Sequence, residues 1–419
     1  MSTANSATMP WPHKIGRQVF RFFSSILTAI VSLGFLLLLT WLGTEAQPEK
    51  GLYAAQELYF KSWGLIHQAK LPMLGLVPIP LPGAMLLLTI FTLNLMCGGL
   101  LMLRKNKRTI GIFIAHFSMV FLLAGGLLQH RYADDGYLKL VEGESADEFV
   151  SYHDWVIQMH PMKEGQPDYT QDAIVVPPET LQAFDESGEK TIASEHLPFK
   201  LRVSGHMLNA VVMPESFRRE GEAEVIDGMF LRELPAEKEA EANASAFYID
   251  VLNDSNQSMR RGILWGLASQ PLTIRHPKGD FLVKLERKRW KLPFAIQLDK
   301  FTHEFHPNTG VARVYKSEVT KIDGSDKETV VIEMNEPLRS QGHTLFQANW
   351  GPQEGRIPGE PFYSVFAVWR NPDSKLFLIP VEHWPMATVS TAALGMLIHF
   401  LLKLTRHIKP ANPNAPLEA

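Results

Sequence analysis

Apolar residues are concentrated in four long runs, and the rest of the chain is polar. The runs cover approximately residues 23–43, 82–103, 109–130 and 383–403. A run of about 20 apolar residues matches the hydrocarbon thickness of a bilayer, so the pattern predicts four membrane-spanning helices. A cleaved signal peptide is the alternative for the first run. It is disfavoured because the apolar core of such a peptide is shorter, roughly 7 to 15 residues.

Short runs of β-branched and aromatic residues, separated by turn residues, fill the stretch between the third and fourth spans. Several alternate apolar and polar side chains, as half-buried antiparallel strands do. They predict a large all-β domain, a sandwich or an open barrel, over residues 137–382. The strand-like runs are residues 137–141, 155–159, 199–203, 246–252, 271–274, 281–285, 295–298, 311–315, 329–334, 344–348 and 363–369. The charged, alanine-rich stretch 233–245 interrupts them and is expected to be a mobile insertion or a short exposed helix.

Basic residues flank the spans at alternating ends, which fixes the expected topology. They are Lys14, Arg17 and Arg21 before the first span, Arg104, Lys105, Lys107 and Arg108 between the second and third, and Lys403, Arg406 and Lys409 after the fourth. The positive-inside rule places these sites in the cytoplasm. Residues 1–22 and 404–419 are then cytoplasmic, and residues 23–136 form a three-helix membrane region. The β domain is expected outside, in the periplasm of a double-membraned bacterium, with the spans in its inner membrane.

Composition excludes several classes of function. The formal net charge of −3 over 419 residues gives no reason to expect nucleic acid as a partner. Cys97 is the only cysteine, so the chain can form neither an internal disulfide nor a thiol relay nor a cysteine-based zinc site. The sequence contains no nucleotide-binding or hydrolase motif, and we assign no catalytic residue.

His116 is the strongest candidate for chemistry in the membrane. It lies roughly 10 Å into the third span from its basic end, at the rise per residue of a helix. An ionisable residue inside a span is costly and is by default a hypothesis of function. A neutral imidazole there can bond a neighbouring helix or ligate a haem iron. Position alone favours helix packing, the role that we also expect for Asn94, Cys97 and the small-residue face Gly111, Ala115, Ser118 and Gly125.

The other histidines are weaker candidates. His67 is expected to be a surface residue, near a short interfacial helix at 58–66. His303 and His306 have the spacing of a metal site on a turn, but on a strand they would point to opposite faces. His399, at the end of the fourth span, is expected to reach the headgroups or cap the helix.

Several short motifs occur in a fixed order along the chain. They are LGT at 42–44, GIFIAHFS at 111–118, GYLKLVEGE at 136–144, DKF at 299–301, HPNTG at 306–310, YKS at 315–317, MNEPL at 334–338 and GHTLFQANWG at 342–351. The order of parts is three spans, a large extracytoplasmic β-rich domain and a final span. In both respects the chain resembles the ResB family (also called CcsB or Ccs1) of the system II cytochrome c maturation machinery.

The resemblance implies a subunit of a cytochrome c haem lyase complex that is not catalytic alone. Its partner would be a ResC/CcsA-type membrane protein. Together they would export haem and join it to the CxxCH motifs of an apocytochrome c. The third-span histidine, here His116, would supply one axial ligand to a transiently held haem b, and the partner the other. A thioredoxin-like thiol reductant is a further implied partner, but the β domain has no cysteine, so no thiol chemistry is assigned to this chain.

Two alternatives remain open. The chain could be a scaffold that docks an apocytochrome or a thiol-reducing protein without binding haem. It could also be an electron-transfer subunit with a b-type haem. That function usually needs two haem ligands in one subunit, and here only His116 lies deep, with His399 a poor second.

Overall fold

The chain folds into a helical unit and a β unit. The computed structural model describes residues 11–71, 75–163, 165–168, 172–182, 188–307, 312–352, 359–371 and 383–408. The helical unit combines Met1–Ala133 with Asn371–Ala419, and the β unit is Asp134–Arg370. Residues 1–10, part of the predicted cytoplasmic segment, lie outside the described residues.

Among the described residues, four helices are long and apolar enough to cross a membrane. They are α2 (Ile26–Lys50), α4 (Ala84–Asn94) with its π-helical continuation (Leu95–Leu101), α5 (Ile110–Tyr132) and α7 (Trp384–Ile408). The prediction of four spans with a β-rich domain between the third and fourth is therefore confirmed. The chain is a multi-pass membrane protein.

Glycines allow α5 and α7 to pack closely. A Cβ on Gly395 would lie 2.8 Å from the backbone nitrogen of Ala115, and one on Gly111 would overlap the Gly395 carbonyl. Further along, a Cβ on Gly125 would lie 2.9 Å from the Trp384 ring. The face on which small residues were predicted to allow close packing therefore meets α7, as small-residue interfaces between membrane helices do.

Two elements beside the first span differ from the prediction. A helix, α1 (Trp11–Phe23), precedes it. After it, the expected helix at 58–66 is replaced by α3 (Leu52–Ala55), a π-helical turn (Gln56–Phe60) and a hairpin of β1 (Gly64–Leu71) and β2 (Gly75–Pro82). Prolines occupy positions 78, 80 and 82 of β2. The N–H groups of alternate residues in a strand point to the same edge. At these three positions that edge faces away from β1, so the missing N–H groups leave the pairing with β1 intact.

The β unit is built from antiparallel sheets. Its strands are β3 (Asp134–Val141), β4 (Ser145–Lys163), β5 (Gln166–Pro167), β6 (Ile174–Val176), β7 (Glu189–Ile192), β8 (Lys200–Met207), β9 (Ala210–Pro214), β10 (Met229–Glu233), β11 (Ala246–Leu252), β12 (Ser258–Trp265), β13 (Leu272–Ile274), β14 (Phe281–Phe305), β15 (Ala312–Asp323), β16 (Asp326–Glu333), β17 (Leu338–Ser340), β18 (His343–Gly351) and β19 (Tyr363–Arg370), with a short helix α6 (Pro178–Gln182) after β6. The largest sheet has the order β16-β15-β14-β4-β3-β19-β18-β17, and a second sheet has the order β12-β11-β8-β7. The described strands do not close into a barrel.

Two long strands, β4 and β14, connect two hydrophobic cores. One core packs the second sheet against the Trp155–Met159 side of β4 and the start of β14. The other core uses Phe149 of β4 and the later part of β14, from Trp290 onward. Register shifts after Arg287 and after Lys291 bend β14 between the two. The predicted strands at 281–285 and 295–298 are therefore one strand, because bulges let a single strand change direction and serve both cores.

A partly buried arginine, Arg287, holds the end of the stretch 233–245 in place. The stretch contains a single 3₁₀ turn, Ala240–Ala242. The guanidinium of Arg287 donates to the backbone carbonyls of Glu241 at 3.0 Å, Asn243 at 2.7 Å and Tyr152 at 2.5 Å, and it lies 4.5 Å from the Trp155 ring. Burial of this guanidinium lowers the pKa of Arg287. The part of this stretch that follows Ala240 is therefore anchored to Arg287 of β14, which also binds the Tyr152 carbonyl of β4, and is not a free loop.

Arg287→Ala should destabilise the β unit. It leaves several partly buried or exposed carbonyls without their donor, so we expect the free energy of unfolding to fall by about 1–3 kcal/mol. The midpoint of denaturant unfolding of the full chain in detergent measures this change. Arg289→Ala is the control, since its side chain is 53% exposed and 4.0 Å from Glu148. That change should stay within about 0.5 kcal/mol. Equal midpoints for the two variants would contradict the anchoring role of Arg287.

Candidate functional site

His116 in α5 hydrogen-bonds the backbone of the preceding span. Its Nδ1 lies 3.0 Å from the carbonyl oxygen of Gly99. Gly99 belongs to the π-helical segment Leu95–Leu101, in the last turn before the helix ends. The final carbonyls of a helix have no donor within the helix, so one of them is available to the imidazole. The predicted packing contact between His116 and a neighbouring helix is therefore present.

The close approach of the imidazole requires glycine at position 99. A Cβ added there would lie 2.8 Å from Nδ1 of His116 and 3.2 Å from the ring carbon Cγ. Any larger residue would push the ring away from the carbonyl. Short π-helical segments of this kind are frequent at functional sites.

The contact with Gly99 also fixes the tautomer of His116. A carbonyl oxygen only accepts, so Nδ1 must carry the proton and the neutral ring has its lone pair on Nε2. Within the described part of the chain, Nε2 has no hydrogen-bond partner. Histidines that bind a metal through one ring nitrogen commonly donate the other to a backbone carbonyl. His116 is thus oriented as a ligand would be, a geometry that packing alone does not require.

An apolar groove begins one turn beyond His116. Its volume is about 730 Å³, and it lies between α4 and α5 with Trp384 at one side. Val120, Leu123, Leu127 and His130 line it, and they follow His116 at helical spacing on the same face of α5. The polar residues at the far end are Lys61, Gln129 and His130. The groove can hold a large apolar molecule next to the face that carries His116.

His399 and His67 do not join His116. The backbone nitrogen of His399 lies beside Gly111, which is about 7 Å from His116 along the α5 axis. The Nδ1 of His399 is buried and, among the described residues, has no hydrogen-bond partner. His67 lies in β1, and its Nδ1 is 2.8 Å from the hydroxyl of Tyr59. Burial raises the pKa of this tyrosine.

His303 lies in a cluster of aromatic rings in the β unit. The cluster, which we call the ring cluster, consists of Phe301, His303, Phe305, Trp350 and Phe362. The imidazole stacks on Trp350 at 4.6 Å between ring centroids and meets Phe362 edge-on at 5.1 Å. His306 follows the end of β14. In the described ranges, no group of three or more metal-binding side chains comes together. The ring cluster can therefore offer aromatic stacking surface to a partner.

Glu142 links distant parts of the chain beneath the ring cluster. Its carboxylate accepts from the backbone N–H of Phe301 at 2.8 Å and of Phe362 at 3.3 Å. Nearby in the same sheet, the hydroxyl of Ser317 donates to Gln347 at 2.7 Å, in a buried network completed by Ser364. The motifs at 136–144, 299–301, 315–317 and 342–351 thus converge in space. The sequence did not predict this, because their separations carry no local pattern.

Comparison with known families points to the same region. The model of the ResB-like family matches residues 275–361, about a fifth of the chain. No curated protein matches the chain. The matched segment runs from β14 to β18 and contains Phe301, His303 and Trp350, while His116 lies outside it. The predicted ResB resemblance is confirmed in this segment.

Glu142→Ala should loosen the strands beneath the ring cluster. Without the carboxylate, the amides of Phe301 and Phe362 lose their acceptor, so we expect them to exchange hydrogen about 5- to 10-fold faster. Hydrogen–deuterium exchange on the full chain, read by mass spectrometry, measures both amides. Glu148→Ala is the control, because the contact of its carboxylate with Arg289 is long, at 4.0 Å, and therefore weak. Unchanged exchange in Glu142→Ala would show that Glu142 does not hold these strands.

Proposed function

We propose that this chain is a ResB-like subunit of a complex that delivers haem b to apocytochrome c, and that His116 is one axial ligand of the haem. The ResB-like match suggests a role in cytochrome c biogenesis in general. The observation that supports the finer proposal is the hydrogen bond between His116 and Gly99. It holds the imidazole with Nδ1 protonated and leaves Nε2 as the only nitrogen able to bind iron.

The surroundings of His116 fit haem as a cargo. Haem is a broad, largely apolar disc whose iron accepts a histidine ligand on each face. The apolar groove continues from His116 on the same face of α5. His116 would orient the disc, and the groove would exclude water from it.

The second axial ligand would come from a partner protein. His399 does not lie level with His116, since its backbone contacts Gly111. A ResC/CcsA-type membrane protein is the partner that the resemblance implies, and it would join the haem to CxxCH motifs. In this proposal the chain binds and positions haem and is not catalytic alone. Among the described residues, no second histidine lies level with His116, which weighs against an electron-transfer subunit.

The orientation belongs to the same proposal. The basic residues before α2, between the π-helical segment and α5, and towards the end of α7 favour the cytoplasm. The β unit would then lie in the periplasm of a double-membraned bacterium, with the spans in the inner membrane. His116 lies near the cytoplasmic end of its span, where it could receive haem as the haem enters from the cytoplasm.

A scaffold is the second candidate function. The ring cluster supports it, because Phe305 is 46% exposed and Trp350 is half-buried within the ResB-like segment. Exposed aromatic surface of this kind is typical of sites that dock another protein. An apocytochrome or a thioredoxin-like thiol reductant is the expected partner, and this function needs no haem at His116.

His116→Ala should remove haem from the complex. We expect the haem retained per protein to fall about tenfold or more, because an axial ligand is lost. The absorption spectrum of the detergent-purified chain, coexpressed with its ResC/CcsA-type partner, measures the haem. His116→Gly with added imidazole should regain haem. His399→Ala is the matched control in a neighbouring span and should keep it. Unchanged haem in His116→Ala would favour the scaffold.

Gly99→Ala tests whether the orientation of the imidazole matters, because it keeps His116 in place but changes the residue that His116 contacts. The added Cβ would displace the ring from the Gly99 carbonyl. Loss of such an orienting bond commonly weakens metal binding about tenfold or more, so we expect haem retention to fall by about that factor. Gly34→Ala in α2 is the control, since a Cβ there meets nothing within 4 Å. Full haem retention in Gly99→Ala would show that the hydrogen bond does not position the ligand.

A further inference from the structure

The helix α1 has one apolar face and one basic face. Ile15, Val19 and Phe22 follow one another at helical spacing, and each is exposed, by 46%, 48% and 54%. Arg17 and Arg21 lie one turn apart on the opposite side and are also exposed. A helix that left these three apolar side chains in water would be unfavourable, since burying each contributes about 1.5–3 kcal/mol. The apolar face therefore needs a covering surface.

A set of hydrogen bonds fixes the angle between α1 and the first span. The side-chain amide of Asn94, in α4, donates to the carbonyls of Phe23 and Ser25, both at 2.8 Å. Asn94 is only 7% exposed. The hydroxyl of Thr28 donates to the Phe22 carbonyl at 2.7 Å. We call residues 22–28 the elbow. Because side chains bind its carbonyls, the elbow is a stabilised break in the helix, and α1 and α2 are separate helices.

The elbow places α1 at the surface of the membrane. It lies at the start of the span α2, against the end of α4, whose π-helical continuation leads into the basic loop Arg104–Arg108. Cations from two segments are therefore gathered at one end of the helical unit. A helix that leaves a span at such a corner meets the lipid headgroups before it meets water.

We propose that α1 lies in the headgroup layer and binds acidic phospholipid, with Ile15, Val19 and Phe22 in the acyl boundary and Arg17 and Arg21 on the phosphates. Basic amphipathic helices with aromatic residues on the apolar face bind membranes in this way. The positive face favours acidic over neutral lipids. This inference is independent of haem and of the role of His116.

Labelling with a polarity-sensitive fluorophore tests the position of α1. In a Cys97→Ala background, the probe is attached to Ile15→Cys or, as the control on the opposite, basic face, to Arg17→Cys. The full chain is reconstituted in vesicles of phosphatidylcholine with or without phosphatidylglycerol. Lipids that carry a quencher on the upper part of the acyl chain should quench the probe at position 15 strongly and the probe at position 17 weakly. Equal, weak quenching at both positions would overturn the proposal and would indicate that another protein surface covers the helix.

The two arginines test the preference for acidic lipid. Quencher-labelled phosphatidylglycerol and phosphatidylcholine are compared on the probe at position 15. Arg17→Gln and Arg21→Gln should each reduce the preference for the acidic lipid about fivefold, and the double variant about 25-fold. Arg289→Gln with Arg313→Gln, both exposed in the β unit, removes the same charge as a control. An unchanged preference in the arginine variants of α1 would reduce this helix to an apolar anchor and overturn the lipid-binding proposal.

Discussion

The hydrocarbon core of a bilayer offers no hydrogen bonds, so a backbone carbonyl within a span needs a donor within the protein. Among the described residues, carbonyls without a donor from their own helix occur at the elbow, next to the headgroup layer, and at Gly99 near the end of the π-helical segment. Asn94 supplies the donor at the elbow, and His116 supplies it at Gly99. Satisfying Gly99 orients the imidazole, because the nitrogen that donates is then fixed. The unprotonated Nε2, on which the proposed haem binding depends, is therefore a consequence of the need of the Gly99 carbonyl for a donor.

The β unit contains two hydrophobic cores within one domain. The long strands β4 and β14 contribute residues to both, so the two cores share one backbone framework. Glu142 joins this frame to the ring cluster through two backbone amides. The buried Ser317, Gln347 and Ser364 satisfy one another in the same sheet. The segment that matches the ResB-like family thus combines buried hydrogen bonds with partly exposed aromatic rings.

The sequence predicted what depends on composition over a long window. Four apolar runs are enough for four spans, and an imidazole inside one of them is enough to single out His116. It did not predict Gly99, because a π-helical end and a missing Cβ matter only when the partner helix is in place. It missed α1, whose charges were interpreted only as topology signals although its apolar residues repeat at helical spacing. Arg287 anchors the stretch that follows Ala240 although it is more than 40 residues away in sequence, and a contact over such a separation leaves no local sequence pattern.

The elbow and His116 are connected through the same short segment of the second span. Asn94 directly precedes the π-helical segment, and a Cβ on Gly98 would lie 3.1 Å from the Ser24 carbonyl of the elbow. The next residue, Gly99, carries the carbonyl that holds the imidazole. The segment is therefore confined by the elbow at Gly98 and by α5 at Gly99. A shift of the elbow at Ser24 would displace Gly98, and Gly99 would be displaced with it because it is the next residue of the same helical turn. The attachment of α1 and the orientation of His116 are for this reason parts of one mechanical arrangement.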